Sequence, residues 1–292
     1  MPKKQNPHFF TLIELLVSIG IIAILAGLFM PVASDAKFRS KYIRWQAYNA
    51  MWNNDSHVVL NFNFQDMNFK ASDNGVFRSA VESGAAACVE EGFDQKLYHG
   101  ILRNGPTWVK NGGRWGFNNA LQLDGINDYV EVMATKALDF DPSDRDISLM
   151  MWLYFDITTG IHTLFSKSRW VKSAQYDAYL YNNRIEADVG TVAYGWEEPR
   201  IKAGKWVHIA FTSDVNGEFQ LYYNGKMMGE WRDDTFTAQE VMADATFIIG
   251  AAGMENGPPK YHFKGRFDEL ILLSRRLTPG EIRGHYVMGN PN

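Results

Sequence analysis

A single cysteine in 292 residues, Cys88, rules out an intrachain disulfide and leaves the redox compartment open. It follows Ala85-Ala86-Ala87 and reads as a small packed residue rather than a reactive one. Net charge is scarce too. A balance of −4 supplies no basic excess to neutralise phosphates, so nucleic acid is not an expected partner. The usual catalytic and metal signatures are missing: no C-x-x-C, H-E-x-x-H, G-x-S-x-G or phosphate-cradling glycine loop occurs. Seven histidines show no ligand spacing, and His208, inside the predicted strand Trp206–Phe211, reads as packed and hydrogen-bonded. No E-x-D-x-x-E places two carboxylates at the separation that a retaining glycosidase needs. Asp268 and Glu269 are neighbours in a predicted strand, which is expected to send them to opposite faces. The chain therefore reads as a non-enzyme.

What is present begins with a hydrocarbon run. Phe10–Pro31 is almost wholly apolar, and a helix of roughly 20 residues at 1.5 Å per residue spans a bilayer core of about 30 Å. One acid, Glu14, interrupts it, and an intramembrane carboxylate marks a functional position by default. The F-T-L-I-E-L-L stretch behind a short basic leader resembles the N-terminal signature of type IV pilins and type II secretion pseudopilins. That resemblance implies cleavage before Phe10 by a prepilin peptidase and methylation of the new terminus. It also implies that Glu14 meets the amine of another pilin-like subunit during filament assembly, and that Pro31 stands at the family's helix proline. The family usually carries glycine before the cut, whereas this chain has Phe9. An ordinary signal peptide and an unprocessed anchor are the alternatives; the run is long for the first, and Met30-Pro-Val-Ala-Ser-Asp35 is a poor cleavage site.

Orientation is contested by charge. Lys37, Arg39, Lys41 and Arg44 outnumber Lys3 and Lys4, which by the positive-inside rule favours a cytoplasmic C-terminal side. The pilin-like signature implies export instead: anchoring in an inner membrane with the rest periplasmic, on the cell surface or on a filament. The helical pattern continues to about Trp52, with Val32, Ala36, Ile43, Ala47 and Ala50 near one face and a kink or local melting expected at Pro31. Gly20, Ala23 and Gly27 form a small-residue stripe that reads equally as a helix contact or as ordinary membrane-helix composition.

Past Asn53-Asn54-Asp55-Ser56 the period changes to two. Leu60, Phe62 and Phe64 alternate with Asn61 and Asn63, and Ile147–Phe155 is the longest alternating stretch. Further short strands are separated by turn signals such as Asn216-Gly217 and Asn224-Gly225, while Thr278-Pro279-Gly280-Glu281 opens a short helix with a capping box. The expected class is mainly β, a jelly-roll β-sandwich behind a long N-terminal transmembrane helix, divided as leader 1–9, helix 10–52 and head 57–290. In block order the head resembles the LamG-like, concanavalin A-like family, through Leu121-Gln-Leu-Asp124-Gly125, Leu164-Phe-Ser-Lys167, Gly204-Lys-Trp206-Val-His208, Leu221-Tyr-Tyr-Asn-Gly225, Gly265-Arg-Phe-Asp268-Glu269 and Leu277-Thr-Pro-Gly-Glu281.

That resemblance implies binding of a glycan or an extracellular protein through rim loops, often beside Ca²⁺. The loop candidates are Arg169-Trp170, Tyr194-Gly-Trp196 and Trp231-Arg232, each of which reads alternatively as an aromatic packed over a sandwich edge. Trp152 and Trp206 read as core. Asp66 and Asp268 are the candidate Ca²⁺ ligands, or else caps of turns. Lys110-Asn-Gly-Gly-Arg114 reads as a turn and not as a basic patch.

Overall fold

The computed structural model describes residues 11–65, 76–77, 99–133, 136–139, 146–169, 173–190, 192–198, 200–232 and 245–291. Phe9, Phe10, Asp66, Cys88 and Trp170 lie outside the described residues.

Helix α1 runs from Leu12 to Trp52, 41 residues and about 60 Å at 1.5 Å per residue. Its start is set by a capping box. The Thr11 hydroxyl accepts from the Glu14 N–H, and the Glu14 carboxylate accepts from the Thr11 N–H at 2.9 Å. The helix stays helical through Pro31, where local melting was expected. One missing N–H removes one rung of the ladder, and the turns on either side carry the helix across it.

The two halves of α1 differ. Leu12–Met30 is exposed almost all round, with Leu12, Ile22, Leu28 and Met30 each more than 60% accessible. The second half docks on the head, and not through the face that carries its small and aliphatic residues. Ile43 is 63% exposed, and Ala36, Ala47 and Ala50 also face out. The buried side is aromatic: Phe38, Tyr42, Trp45, Tyr48 and Trp52, spaced three and four residues apart, with Trp45 and Trp52 at 5% and 7% exposure.

The head is two antiparallel sheets face to face. Its strands are β1 (Val58–Phe62), β2 (Val76–Phe77), β3 (Gly100–Arg103), β4 (Thr107–Val109), β5 (Ala120–Asp124), β6 (Tyr129–Val132), β7 (Ile147–Phe155), β8 (Ile161–Arg169), β9 (Ser173–Tyr181), β10 (Arg184–Gly190), β11 (Val192–Trp196), β12 (Trp206–Ser213), β13 (Glu218–Tyr223), β14 (Lys226–Arg232), β15 (Phe247–Ile249) and β16 (Lys264–Leu273). The first sheet has the order β14-β13-β12-β7-β16-β5-β4 with β1 paired to the end of β16; the second has β11-β10-β9-β8-β15-β6-β3-β2. Neighbours distant in sequence, such as β7 beside both β12 and β16, give the crossed connections of a jelly roll. A last helix, α2 (Pro279–Gly289), starts at the expected Thr278/Glu281 capping box. Asn224-Gly225 forms the expected tight hairpin, both residues having positive φ (49° and 73°).

Leu149, Met151, Leu153 and Phe155 of β7 point between the sheets, beside Phe165, Leu180, Phe211 and Phe267. The opposite face of the same strand is buried as well. Met150 lies in a second cluster with Trp52, Val58, Ala210, Ile271, Leu277 and Ile282, covered by α1 and α2. This third layer explains why β7 reads Ser-Leu-Met-Met-Trp-Leu with almost no polar alternation, because a strand covered on both faces has no solvent side.

Helix α1 is therefore part of the head's core, with a consequence for truncation. A chain of residues 34–292 keeps every aromatic of the docked face, whereas 53–292 loses Trp45, Tyr48 and Trp52. Removing a buried Trp costs about 3–5 kcal/mol. The longer fragment is expected to melt cooperatively in aqueous buffer and the shorter one to melt far lower or to bind hydrophobic dye when cold. Equal melting temperatures by circular dichroism would contradict the docking.

Candidate functional site

The stalk and the head meet at Arg114. It follows the turn after β4, where Gly113 leaves no room for a Cβ: one built there would lie 2.3 Å from the Asn118 side chain. Asn118 fills that space, accepting from the Trp115 N–H at 3.0 Å and donating to Asp268 at 2.8 Å. The turn thereby sends Arg114 inward, and its side chain is 1% exposed. The guanidinium lies between two indole rings, with its carbon 4.5 Å from the Trp45 centroid on α1 and 4.8 Å from that of Trp152 on β7. Its nitrogens reach Asp268 at 3.0 Å, Glu269 at 3.1 Å and the Gly289 carbonyl at the end of α2 at 2.9 Å.

Both acids face the same cation, which corrects the sequence expectation. Strand β16 carries a bulge between Phe267 and Glu269, so that Phe267 and Leu270 point into the core while Asp268 and Glu269 both point outward. The pair is held by one buried guanidinium. Asp268 accepts four donors: the Arg114 N–H and guanidinium, the Asn118 amide and, at 3.1 Å, the Gln65 amide. Those four donors occupy the carboxylate that the sequence offers as a candidate Ca²⁺ ligand, and the guanidinium supplies the positive charge beside it. Among the described residues no group of three or more His, Cys, Asp and Glu is arranged to hold a metal ion.

Burial dominates the electrostatics here. It pushes the Asp268 pKa up against the opposing pull of Arg114, and raises Glu269 to about 7. Behind Glu269 stand His208 and His285, joined Nε2 to Nδ1 at 3.0 Å, with His285 Nε2 at 3.6 Å from Glu269. Burial first, then their cationic surroundings, hold both imidazoles well below the usual histidine range and so neutral. His208 is packed and hydrogen-bonded, as its sequence context indicated. A second carboxyl pair, Asp177 and Asp188, lies across β9 and β10. Burial there raises Asp177 well above its ordinary value and Asp188 to about 6.

Above Arg114 a cleft of about 230 Å³ opens between α1 and the head. Gln46, Asn49 and Asn53 line it from the helix, spaced three and four residues apart. Asn61, Asn63 and Gln65 line it from β1 and the residues after it, spaced two apart. The walls touch at one end, where the Asn61 amide donates to Asn53 at 2.7 Å. This alternation of Asn with core residues is visible in the sequence; what faces it is not, because the facing helix arrives through tertiary packing.

The aromatic loop candidates scatter. Tyr194 and Trp196 are not on a loop: they belong to β11, are 3% and 5% exposed, and point inward, Tyr194 stacked on Phe219 with centroids 5.1 Å apart. The two-residue period of Tyr-Gly-Trp puts both rings on one face and Gly195 on the other. Trp231 lies in edge strand β14, 49% exposed and 6.0 Å from Tyr194. Arg232 closes that strand and Arg169 closes β8. Trp152 is 2% exposed, though on the helix-covered face, and Trp206 is half-buried.

A family model described as the concanavalin A-like lectin/glucanases superfamily (Laminin_G_3) matches residues 124–283, more than half of the chain. Among solved structures, domain 4 of an extracellular GH43 arabinanase (AbnA) from Geobacillus stearothermophilus, determined with arabinotriose, superposes with TM-score 0.53 at 19% identity, over 79% of this chain and 98% of that one. The botulinum neurotoxin serotype G binding domain gives 0.54 at 13% identity, over 80% of this chain and 51% of that one. The binding domain of Paraclostridial Mosquitocidal Protein 1 gives 0.53 at 13%, over 79% and 52%. The chain thus spans about half the length of those two toxin domains. At such identities the likeness is one of fold. No curated protein matches the chain.

Two outcomes follow from the Arg114 cluster. Arg114→Met leaves Asp268 and Glu269 buried without their cation and is expected to cost about 3–5 kcal/mol; Arg114→Lys keeps charge but loses the fork and should fall between. Thermal unfolding of the detergent-solubilised chain measures both. For pH, the raised Glu269 contributes stability that is full below its ordinary pKa of 4.5 and is lost as pH rises through about 7. The depressed His208 and His285 act oppositely, contributing stability above about 6.5 that is lost as pH falls. Glu269→Gln removes only the first contribution. Its stability should therefore rise more steeply than wild type between pH 5 and 7.5, and parallel curves would refute the assignment.

Proposed function

We propose a function for the chain on one established fact: it belongs to the concanavalin A-like lectin/glucanases superfamily. The function is display. A pilin-like or pseudopilin-like helix anchors the chain in an inner membrane, and the head, held on the far side or on a filament, recognises a glycan. The observation that carries this reading is the division of α1 into a bare apolar half, Leu12–Met30, and a half gripped by the head. An apolar surface that the chain leaves uncovered calls for lipid or the like helices of neighbouring subunits. The gripped half fixes the head's orientation to that anchor.

Recognition rather than catalysis is supported by what the similar folds do. The arabinanase domain was determined holding arabinotriose, and the toxin structures are binding domains. The acids nearest the cleft, Asp268 and Glu269, are engaged by Arg114. The helix argues for an anchor over a cleaved signal sequence, since it runs unbroken from the apolar half into the head's core.

One observation favours a second reading, in which the chain is a tethered module that is never processed. Glu14 already has partners in its own helix, the Thr11 N–H and hydroxyl, and so needs no neighbour to satisfy it. Phe9 in place of the family's glycine points the same way.

Glu14→Gln separates the two. Glutamine at the third helical position also completes a capping box, so the helix start and membrane insertion survive while the charge is lost. In a filament-forming subunit the mature chain begins with methylated Phe10, and Glu14→Gln lowers cross-linked or sedimentable polymer at least tenfold. In a tethered module, mass spectrometry finds Met1 intact and the substitution changes nothing.

A further inference from the structure

We propose that the cleft between α1 and the head takes one uncharged sugar residue, held between the amides of Gln46, Asn49 and Asn53 on the helix and those of Asn61, Asn63 and Gln65 opposite. This rests on the reading of the head as a glycan-recognition module and names the place and class of ligand. Three features of the cleft carry it.

The first is its chemistry. Amides are uncharged and both donate and accept, which suits vicinal hydroxyls; Asn61 spends part of that capacity on Asn53, and Gln65 on Asn119 and Asp268, so that Gln46 and Asn63 are the exposed pair. A helical stripe of three amides faces a strand stripe of three across a gap of about 230 Å³. That lies below the roughly 300–1,000 Å³ of drug-sized pockets, which favours a small ligand or the end of a larger one.

The second is the charge at its floor. Arg114, Asp268 and Glu269 are the charged groups lining the cleft, and they are bound to one another. An anionic sugar would meet two carboxyl groups whose cation is already shared. A cationic one would meet a guanidinium. A neutral ligand meets neither cost.

The third is the position of its rings, Trp45 and Tyr42, the second packed edge-on against Trp115 and Phe117. Trp45 does not provide a stacking platform, because Arg114 covers its ring. Recognition here is by hydrogen bonds.

The test uses the full chain in detergent, titrated calorimetrically with arabinotriose, cellobiose, lactose and N-acetylglucosamine, and with a heparin disaccharide as the anionic comparator. Two variants probe the cleft without touching the core. Gln46→Ala/Asn63→Ala removes one exposed amide from each wall, and Ala50→Trp fills the gap from an exposed position on α1. At least one neutral sugar is expected to bind wild type and to bind each variant tenfold or more weakly, with unchanged melting of the unliganded protein. Sugar binding that both variants leave intact overturns the cleft assignment and leaves glycan recognition standing. Binding of the heparin disaccharide alone overturns the ligand class. Binding of none of them overturns this proposal together with the reading it rests on.

Discussion

The structure depends on one buried cation. Arg114 is out of water, and an unpaired guanidinium there would be prohibitively costly; so would Asp268 or Glu269 alone. Each makes the others tolerable, and the two indoles that enclose the guanidinium come from elements far apart in sequence, Trp45 on α1 and Trp152 on β7. The Gly289 carbonyl adds the end of α2. A buried ion pair is weak evidence for net stability, since an apolar replacement often does as well. Its effect is on geometry. A guanidinium with fixed donors in a plane accepts these partners in one arrangement, so the angle between anchor and head is set by hydrogen bonds and not by shape alone. Arg275 repeats the device nearby, joining Asp55 after α1 to Glu281 on α2 at 2.8 and 2.7 Å.

Much of the sandwich was legible in the sequence because its rules are local. Strand alternation, the Asn224-Gly225 hairpin and the Thr278/Glu281 box each need only a few neighbouring residues to declare themselves. The errors share a different cause. The bulge in β16 is one residue out of step, and nothing in Phe267-Asp-Glu-Leu270 distinguishes it from regular alternation. Tyr194 and Trp196 looked like loop aromatics because Gly195 between them reads as a turn, whereas strand β10 pairs with that segment throughout. The docked face of α1 is not marked by its small and aliphatic residues: it is aromatic and closes on the other aromatics of the head. Arg114 was passed over as the end of a surface turn; its burial depends on partners more than 150 residues away in the chain.

Glu14 shows how a local motif and an assembly motif can occupy the same atoms. Its carboxylate at the third helical position cancels exposed N–H groups and lies at the positive end of the helix dipole, where an acid is favoured. In an isolated chain that lowers the cost of holding it beside lipid. A neighbour's amine would have to compete with Thr11 for it, so the family's intersubunit contact, if made here, exchanges one hydrogen-bonded state for another and does not rescue an orphaned charge. The energy available for assembly from this residue is then a difference between two satisfied states, smaller than the cost of a bare acid in hydrocarbon would suggest. In the proposed filament, most of the cohesion would come from the exposed apolar helix surface and not from the acid.

The same logic bears on the recognition site proposed at the joint. Two sheets packed face to face have two outer faces, and here α1 and α2 cover that of the first sheet and convert it into core. What stays polar along that seam is the row of amides where helix and strand fail to close on each other. Closing it fully would have needed apolar residues at 46, 49 and 53 opposite 61, 63 and 65; the chain carries six amides instead. Apart from the Asn61–Asn53 bond and the bonds of Gln65 to Asn119 and Asp268, these amides add little stability, since an exposed amide exchanges hydrogen bonds with solvent at almost no gain. A wall built from the anchor also makes the site inseparable from it: tilting α1 away from the head opens the cleft, and anything that bridges the two walls resists the tilt. By reciprocity, the strength with which a ligand holds the seam equals the strength with which a docked helix favours the ligand.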